Sequence, residues 1–143
     1  MKGGILKVLA TAVGAAAVLA TGVVRAADEP AAAPVFTAPQ AATGKAAFAK
    51  VCAPCHMPDL SGNNEAPPLA GIVFMDTWRD RTTKDLYDYL SAEMPRGGPP
   101  QDVETYLALT AFILQSNGAV SGEDPFAAST AVPIGTVTES HRQ

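Results

Sequence analysis

The sequence predicts an all-α fold, and three observations support this prediction. Apolar residues recur at helical spacing in three segments, at about 43–51, 83–93 and 102–115. No segment alternates apolar and polar residues as a half-buried strand does. The stretches between the helical segments are rich in proline, glycine, serine and asparagine, which is typical of loops. With 143 residues, the chain has room for one domain and little more.

Residues 1–26 have the pattern of an export signal. A start with two lysines is followed by an uncharged stretch, 8–24, made mostly of alanine, valine and leucine. Val24-Arg25-Ala26 places small residues at the −3 and −1 positions, so we expect cleavage after Ala26 and a periplasmic protein. The alternative is a retained membrane anchor, for which this uncharged stretch is at the lower limit of length.

The charge balance is acidic. The whole chain has a net charge of −4, and cleavage after Ala26 would leave 7 basic and 14 acidic residues, a net charge of −7. Lysine and arginine form no cluster, which argues against a nucleic-acid binder. The acidity predicts partners with basic surfaces. It is equally compatible with a simple contribution to solubility.

The predicted domain occupies residues 43–119 and follows a leader. Residues 27–42 are rich in alanine and proline and have little apolar surface to bury, so we expect a flexible leader there. Thr43 is a candidate N-cap for a first helix that ends at about Val51. Phe48 is the large apolar contact of this helix.

Two further helices follow with clearer boundaries. One is predicted over 83–93, with Thr82 or Thr83 as its cap. The other is predicted over 102–115, and its wide apolar arc indicates a largely buried helix. Asn117-Gly118 is a suitable end for it.

Two long segments are predicted to be irregular. Residues 57–81 contain many prolines, glycines and asparagines, so we expect mostly loop. Residues 120–143 are predicted to form an irregular C-terminal extension. Three helices give a small core, and a domain of about 75 residues is marginal by itself. We therefore expect a further component, besides the side chains of the three helices, to fill the centre of the domain.

Both cysteines and one of the two histidines lie in the segment Cys52-Ala53-Pro54-Cys55-His56. This Cys-x-x-Cys-His motif is the attachment signature of c-type haem. Two thiols three residues apart on one turn can form thioethers to the two vinyl groups of one haem. The adjacent His56 is then placed to bind the iron. Export agrees with this interpretation, because haem c is attached outside the cytoplasm.

Three alternatives for the motif are weaker. A thioredoxin-like redox pair needs a strand–helix context, which the sequence does not show. A structural zinc site needs four ligands, and only the distant His141 could add another nitrogen or sulfur donor. A disulfide across two residues gains little loop-closure entropy and leaves His56 unexplained.

Residues 43–118 resemble a class I (monohaem) c-type cytochrome domain. In that family a first helix leads into Cys-x-x-Cys-His, a Pro-Leu loop follows, and Met-Pro precedes the last helix. This chain has Cys52–His56, then Pro67-Pro68-Leu69-Ala70-Gly71, then Met94-Pro95. The resemblance implies a small cytochrome c domain of three main helices, with long loops wrapped around one covalently bound haem c.

The sixth ligand of the iron is predicted to be Met94. A proline follows it, so the helix should end there and the chain should turn extended, which frees the thioether. The family's Met-Pro position supports the same choice. Met57 adjoins the proximal histidine and cannot reach the opposite face, Met75 is in an apolar run typical of a core, and His141 is in a polar tail. An open sixth site is the alternative.

The resemblance also implies a shell of supporting residues. A proline carbonyl in the Pro-Leu loop accepts a hydrogen bond from the proximal imidazole, and Pro67 is preferred because Leu69 then falls at the haem-packing position. Trp78 could donate its indole N–H to a propionate or be a core aromatic. Arg79 and Arg81 could pair with propionates or be solvated, and solvation is favoured.

One further family feature is structural. Gly44 and Phe48 against Phe112 resemble the crossing of the family's first and last helices. Glycine would allow the two backbones to approach closely at that point.

The function implied by the resemblance is single-electron transfer rather than catalysis. His/Met ligation favours ferrous over ferric iron and fills both axial positions. The chain is similar to periplasmic cytochromes that serve quinoprotein dehydrogenases, so a periplasmic dehydrogenase would be the donor and a downstream cytochrome or oxidase the acceptor. One rival is a haem subunit fixed in a multi-protein oxidoreductase. Another is a ligand-binding haem sensor with open iron.

Overall fold

The computed structural model describes residues 33–139, and its regular secondary structure is helical. Apart from two isolated bridges, no strand occurs among these residues, so the all-α prediction is confirmed. The predicted signal peptide, the first part of the leader and His141 lie outside the described residues. The described part contains α1 (Ala38–Val51), α2 (Ala53–His56), α3 (Ile72–Trp78), α4 (Thr83–Glu93), α5 (Val103–Ser116) and α6 (Ile134–Glu139).

The first helix begins earlier than the sequence predicted. Thr37, and not Thr43, is its N-cap, and the Thr37 hydroxyl accepts a first-turn N–H at 3.3 Å. Pro39 lies in the first turn, where its missing N–H costs no helical hydrogen bond. Phe36 is fully buried. The prediction of a flexible leader through residue 42 is therefore wrong for its last part, which belongs to the domain.

Helices α1 and α5 cross at very close range. A Cβ atom added to Gly44 would lie only 1.8 Å from the carbonyl oxygen of Ala108, so only glycine fits the crossing point. The rings of Phe48 and Phe112 pack beside it, with centroids 5.3 Å apart. Every residue from 106 to 114 of α5 is buried. The predicted helix crossing and the predicted buried helix are both found.

Helices α4 and α5 begin at side-chain caps. Thr82 and Asp85 form a capping box at the start of α4, which selects Thr82 over Thr83 as the cap. Asp102 accepts the N–H of Thr105 at 2.7 Å at the start of α5. These hydrogen bonds to backbone and hydroxyl groups hold the pKa of both carboxyls below the usual value.

The third helix was not predicted. Residues 57–81 were expected to be mostly loop, but Ile72–Trp78 form α3. The helix buries Phe74, Met75 and Trp78. Trp78 follows Phe74 by four positions and Met75 by three, so the three side chains lie on one face. The prolines and glycines on the N-terminal side of α3 concealed this short pattern.

The C-terminal extension belongs to the same core as the helices before it. Phe126, Ile134 and Val137 are buried, and α6 forms within a segment that was expected to be irregular. The side chain of Gln40 in α1 makes two hydrogen bonds with the backbone of Phe126, at 3.0 and 2.8 Å. The predicted boundary at residue 119 is therefore wrong, because these apolar side chains complete the core.

Candidate haem-binding site

One helical turn carries the two cysteines and the histidine of the motif. The N–H groups of Cys55 and His56 both donate to the carbonyl of Cys52, at 3.1 and 2.9 Å. This turn, α2, starts directly where α1 ends, so α1 fixes its direction. All three side chains face the same cavity.

The cavity has a volume of about 620 Å³ and is mostly apolar. Side chains from each of α2, α3, α4 and α5 form its walls, together with the loop after α2. The apolar ones include Leu69, Val73, Phe74, Leu86, Leu90 and Ile113. A cavity of this size and lining suits a large flat apolar group.

The imidazole of His56 is held in one orientation. Its Nδ1 lies 2.8 Å from the carbonyl oxygen of Pro67. A carbonyl only accepts, so Nδ1 carries a proton, and the neutral imidazole then has a free lone pair on Nε2. Such a hydrogen bond also increases the basicity of the ring as a ligand. Of the two adjacent prolines, the one expected from the family resemblance is in contact with His56.

The loop that carries Pro67 is anchored by Asn117, which sequence analysis treated only as the end of a helix. Its Oδ1 accepts from the N–H of Gly71 at 3.0 Å, and its Nδ2 donates to the carbonyl of Leu69 at 2.9 Å. The side chain is buried. Asn117 therefore joins the end of α5 to the loop that orients His56. No signal in the sequence separates this role from ordinary helix termination.

Replacing Asn117 with alanine is expected to destabilise the holoprotein by about 1–3 kcal/mol, because the two part-buried hydrogen bonds that tie the loop to the end of α5 are lost. Denaturant unfolding followed by haem absorbance and by circular dichroism measures this effect. Asn64→Ala, at an exposed loop position, is the control and should leave the midpoint unchanged. Equal midpoints for the two variants would contradict the anchoring role.

Met94 lies at the end of α4 and faces the cavity. The chain there is extended, with φ −123° and ψ 146°, as the following proline predicted. The hydroxyl of Tyr106 donates to the carbonyl of Met94 at 2.5 Å and accepts from the N–H of Gln101 at 3.1 Å. Tyr106 thus fixes the Met94 backbone, a role that sequence analysis missed because Tyr106 fits the apolar pattern of α5.

The other described methionines are placed differently. Met75 is only 2% exposed and contributes to the core without lining the cavity. Met57 is 38% exposed and follows His56 directly, with φ 64°. Neither thioether is in the cavity wall, whereas that of Met94 is.

Trp78 and Arg81 form one wall of the cavity together. The indole of Trp78 is buried, with the ring of Phe74 at 6.1 Å and that of Tyr89 at 5.5 Å. The guanidinium carbon of Arg81 lies 5.0 Å from the indole ring centroid, a cation–π distance. Trp78 is therefore both a core aromatic and a cavity residue. Arg81 is exposed, but it rests on the indole rather than standing free in solvent.

The thiol of Cys52 has an environment that favours its neutral form. Burial, with a smaller contribution from the neighbouring Cys55, raises the pKa of Cys52 to about 11. Thiol–disulfide exchange needs a thiolate, and redox cysteines usually have lowered pKa values. This environment speaks against the thioredoxin-like alternative.

The residues around the cavity fit haem c. Two cysteine thiols and an imidazole with a free Nε2 lie on one side, and a thioether lies in the same cavity. Apolar walls suit the macrocycle, while Arg81 and Arg96 provide cations suited to propionate groups.

Among residues 33–139, no helix is both long and apolar enough to cross a bilayer.

Comparison with known proteins agrees with this geometry. Residues 39–113 match the family described as cytochrome C oxidase, cbb3-type, subunit III. Among solved structures, the chain is similar to one in the crystal structure of the sulfane dehydrogenase SoxCD from Paracoccus pantotrophus, with 29% identity and a TM-score of 0.50. The match covers 85% of this chain and 66% of that chain, slightly less than two thirds of its length. No curated protein matches.

Proposed function

We propose a one-electron carrier function in the periplasm for this chain, which belongs to the cytochrome C oxidase, cbb3-type, subunit III family. Domains of this family transfer electrons through a covalent haem c, which supplies an Fe(III)/Fe(II) couple when bound. The observation that carries the proposal is that the attachment motif, an oriented imidazole and a thioether all line one cavity. With both His56 and Met94 donating to the iron, no position would remain open for a substrate.

Each of these residues has a separate role in the proposal. Cys52 and Cys55 would attach the haem through their sulfur atoms, and His56 would bind the iron through Nε2. The carbonyl of Pro67 retains the Nδ1 proton and so keeps that nitrogen from rotating toward the iron. Met94 would supply the second iron ligand from the protein through Sδ. Tyr106, bound to the Met94 carbonyl, keeps this end of α4 against the cavity.

The cavity walls favour electron transfer over reaction at the iron. Leu86, Leu90 and Ile113 line the cavity with apolar side chains, which would keep water away from a bound haem. Exclusion of water and a neutral thioether ligand both favour the less charged ferrous state, which raises the reduction potential. We infer that the donor is a periplasmic dehydrogenase, and that the acceptor is a downstream cytochrome or oxidase.

A redox titration of the holoprotein, followed by absorbance, tests this function. We expect one reversible one-electron step, and the reduced protein at neutral pH should not bind carbon monoxide. Rapid carbon monoxide binding by the native protein would overturn the carrier proposal and favour a sensor with open iron.

The electron-transfer surface is proposed to lie where Cys55 and the first turn of α3 meet the cavity. Cys55 is exposed, and Ile72 and Val73 are 76% and 52% exposed, unusual values for large aliphatic side chains. Val73 lines the cavity, as does the exposed Glu65. Asp76 lies on the same face of α3 as Ile72, four residues later. A partner with an apolar contact surrounded by lysine or arginine would fit this surface.

Small redox probes of opposite charge can test this surface. Oxidation of the reduced protein by the cation tris(phenanthroline)cobalt(III) should slow with added salt, and Glu65→Gln/Asp76→Asn should weaken that dependence. Ferricyanide, an anion, should show the opposite salt effect. Asp88→Asn on α4 is the control. An equal effect of Asp88→Asn would show that overall charge, and not this surface, controls the rate.

A second candidate is a haem subunit held in a dehydrogenase complex. The similarity to a chain in the structure of a sulfane dehydrogenase favours it. Size-exclusion chromatography of native extract, followed by haem absorbance, separates the two candidates. A carrier elutes near the size of a single chain, whereas a fixed subunit elutes with its complex.

A further inference from the structure

The last part of the described chain is bonded to the stretch between α3 and α4. We call residues 126–138 the C-terminal strap. Its backbone runs beside residues 79–83, and the contact includes an isolated antiparallel bridge. Three backbone hydrogen bonds join Gly135 N–H to the carbonyl of Arg79 at 2.9 Å, Ile134 N–H to that of Arg81 at 2.9 Å, and Thr83 N–H to that of Val132 at 2.8 Å.

The side chain that completes this attachment is Thr83. Its hydroxyl is fully buried and donates to the carbonyl of Thr130 at 2.6 Å. The same oxygen accepts from the N–H of Val132 at 3.3 Å. Thr83 is not needed as a helix cap, because Thr82 has that role. Its hydroxyl therefore binds the strap and no other described group.

The strap lies behind the cavity wall formed by Trp78 and Arg81. Its helix α6 packs against α3, and the hydroxyl of Thr138 lies 3.8 Å from the sulfur of Met75. Trp78 ends α3, and Arg81 is in the segment whose backbone the strap binds. The strap therefore packs against the side of this wall that faces away from the cavity. There it fixes the backbone that carries Trp78 and Arg81, whose indole and guanidinium groups line the cavity.

We propose that Thr83 is a positioning residue for the haem: through the strap it holds Arg81 on Trp78 at the cavity wall, and thereby raises the reduction potential. This inference depends on the proposed function, because it needs the haem in this cavity. A fixed positive charge beside an apolar cavity disfavours the more positive ferric state. A released Arg81 would be solvated and screened, and its effect on the potential would fall.

The test is the reduction potential of the holoprotein in a double-mutant cycle of Thr83→Val and Arg81→Gln. We expect each single variant to lower the potential, and the double variant to show little change beyond Arg81→Gln alone. Thr83→Ser keeps the hydroxyl and should restore the wild-type potential. Thr110→Val is the matched control, because this buried threonine bonds only within α5 and does not line the cavity.

Fluorescence of Trp78, the only tryptophan, gives a second readout. Haem quenches a nearby indole, so emission should rise in Thr83→Val and stay low in Thr83→Ser and Thr110→Val.

A second variant is available if Thr83→Val does not yield holoprotein. Val132→Pro removes the N–H that donates to the Thr83 hydroxyl at 3.3 Å and leaves Thr83 in place. This variant should change the potential and the emission in the same directions.

The outcomes separate this inference from the proposed function. A melting temperature lowered by Thr83→Val, with potential and emission unchanged, would show a purely structural role and overturn the inference alone. Additive shifts in the double variant would also overturn it, since Arg81 would then act independently of the strap. Native protein without a reversible couple would instead overturn the proposed function.

Discussion

Met94→Ala is expected to abolish the weak long-wavelength absorption band that reports methionine sulfur on ferric haem iron, and to lower the reduction potential. The thioether of Met94 lies in the cavity wall, and alanine offers no donor in its place. Loss of a neutral sulfur ligand removes a preference for ferrous iron. The reduced variant should then bind carbon monoxide, which the native protein should not. Absorbance spectra of both oxidation states measure these effects.

The chain provides two matched controls for this experiment. Met57→Ala alters a partly exposed residue next to His56, and Met75→Ala alters a buried core residue outside the cavity wall. Met75→Ala should reduce stability by about 2–5 kcal/mol, the usual cost of truncating a buried methionine. Both controls should nevertheless keep the absorption band. If the band survives in Met94→Ala, the assignment of the sixth ligand is wrong.

Gly44→Ala is expected to be among the most destabilising single substitutions in the protein. The new methyl group would lie 1.8 Å from the carbonyl oxygen of Ala108 and 2.9 Å from the Cβ of Phe112. A backbone oxygen within a buried helix cannot move aside, so α1 and α5 must separate. Overpacking of this kind costs about 3 kcal/mol or more. Because α1 leads directly into Cys52, we also expect a lower yield of holoprotein.

Denaturant unfolding and the haem content per chain measure the effect of Gly44→Ala. Ala42→Val, on the exposed side of the same helix, is the control and should cost less than about 1 kcal/mol through helix propensity alone. Similar midpoints for the two variants would show that the helices can separate without loss, contrary to the structure.

The sequence was sufficient for features that depend on local chemistry. The Cys52–His56 motif, the extended residue before Pro95 and the apolar arc of α5 each follow from rules that involve a few neighbouring residues. Gly44 could be interpreted only with the family resemblance, since a close helix crossing involves residues far apart in sequence. The assignment of ligand roles remains a prediction.

The features that were missed depend on distant partners. Asn117 and Tyr106 act through carbonyls and N–H groups of loops that tertiary packing brings to them. Residues 120–139 look irregular because they are rich in serine, threonine, glycine and proline, and α6, with six residues, is too short for a clear helical pattern. Their order comes from backbone hydrogen bonds to the segment after α3, which a single sequence does not reveal.

The clip between Gln40 and Phe126 has a consequence for the order of events during biogenesis. Its two hydrogen bonds join residues separated by 86 positions. A chain that emerges N-terminus first cannot close this clip until residue 126 has also emerged. Contacts of such long range form slowly. The Cys52–His56 segment is therefore synthesised well before the contact that joins α1 to the C-terminal part of the core can form.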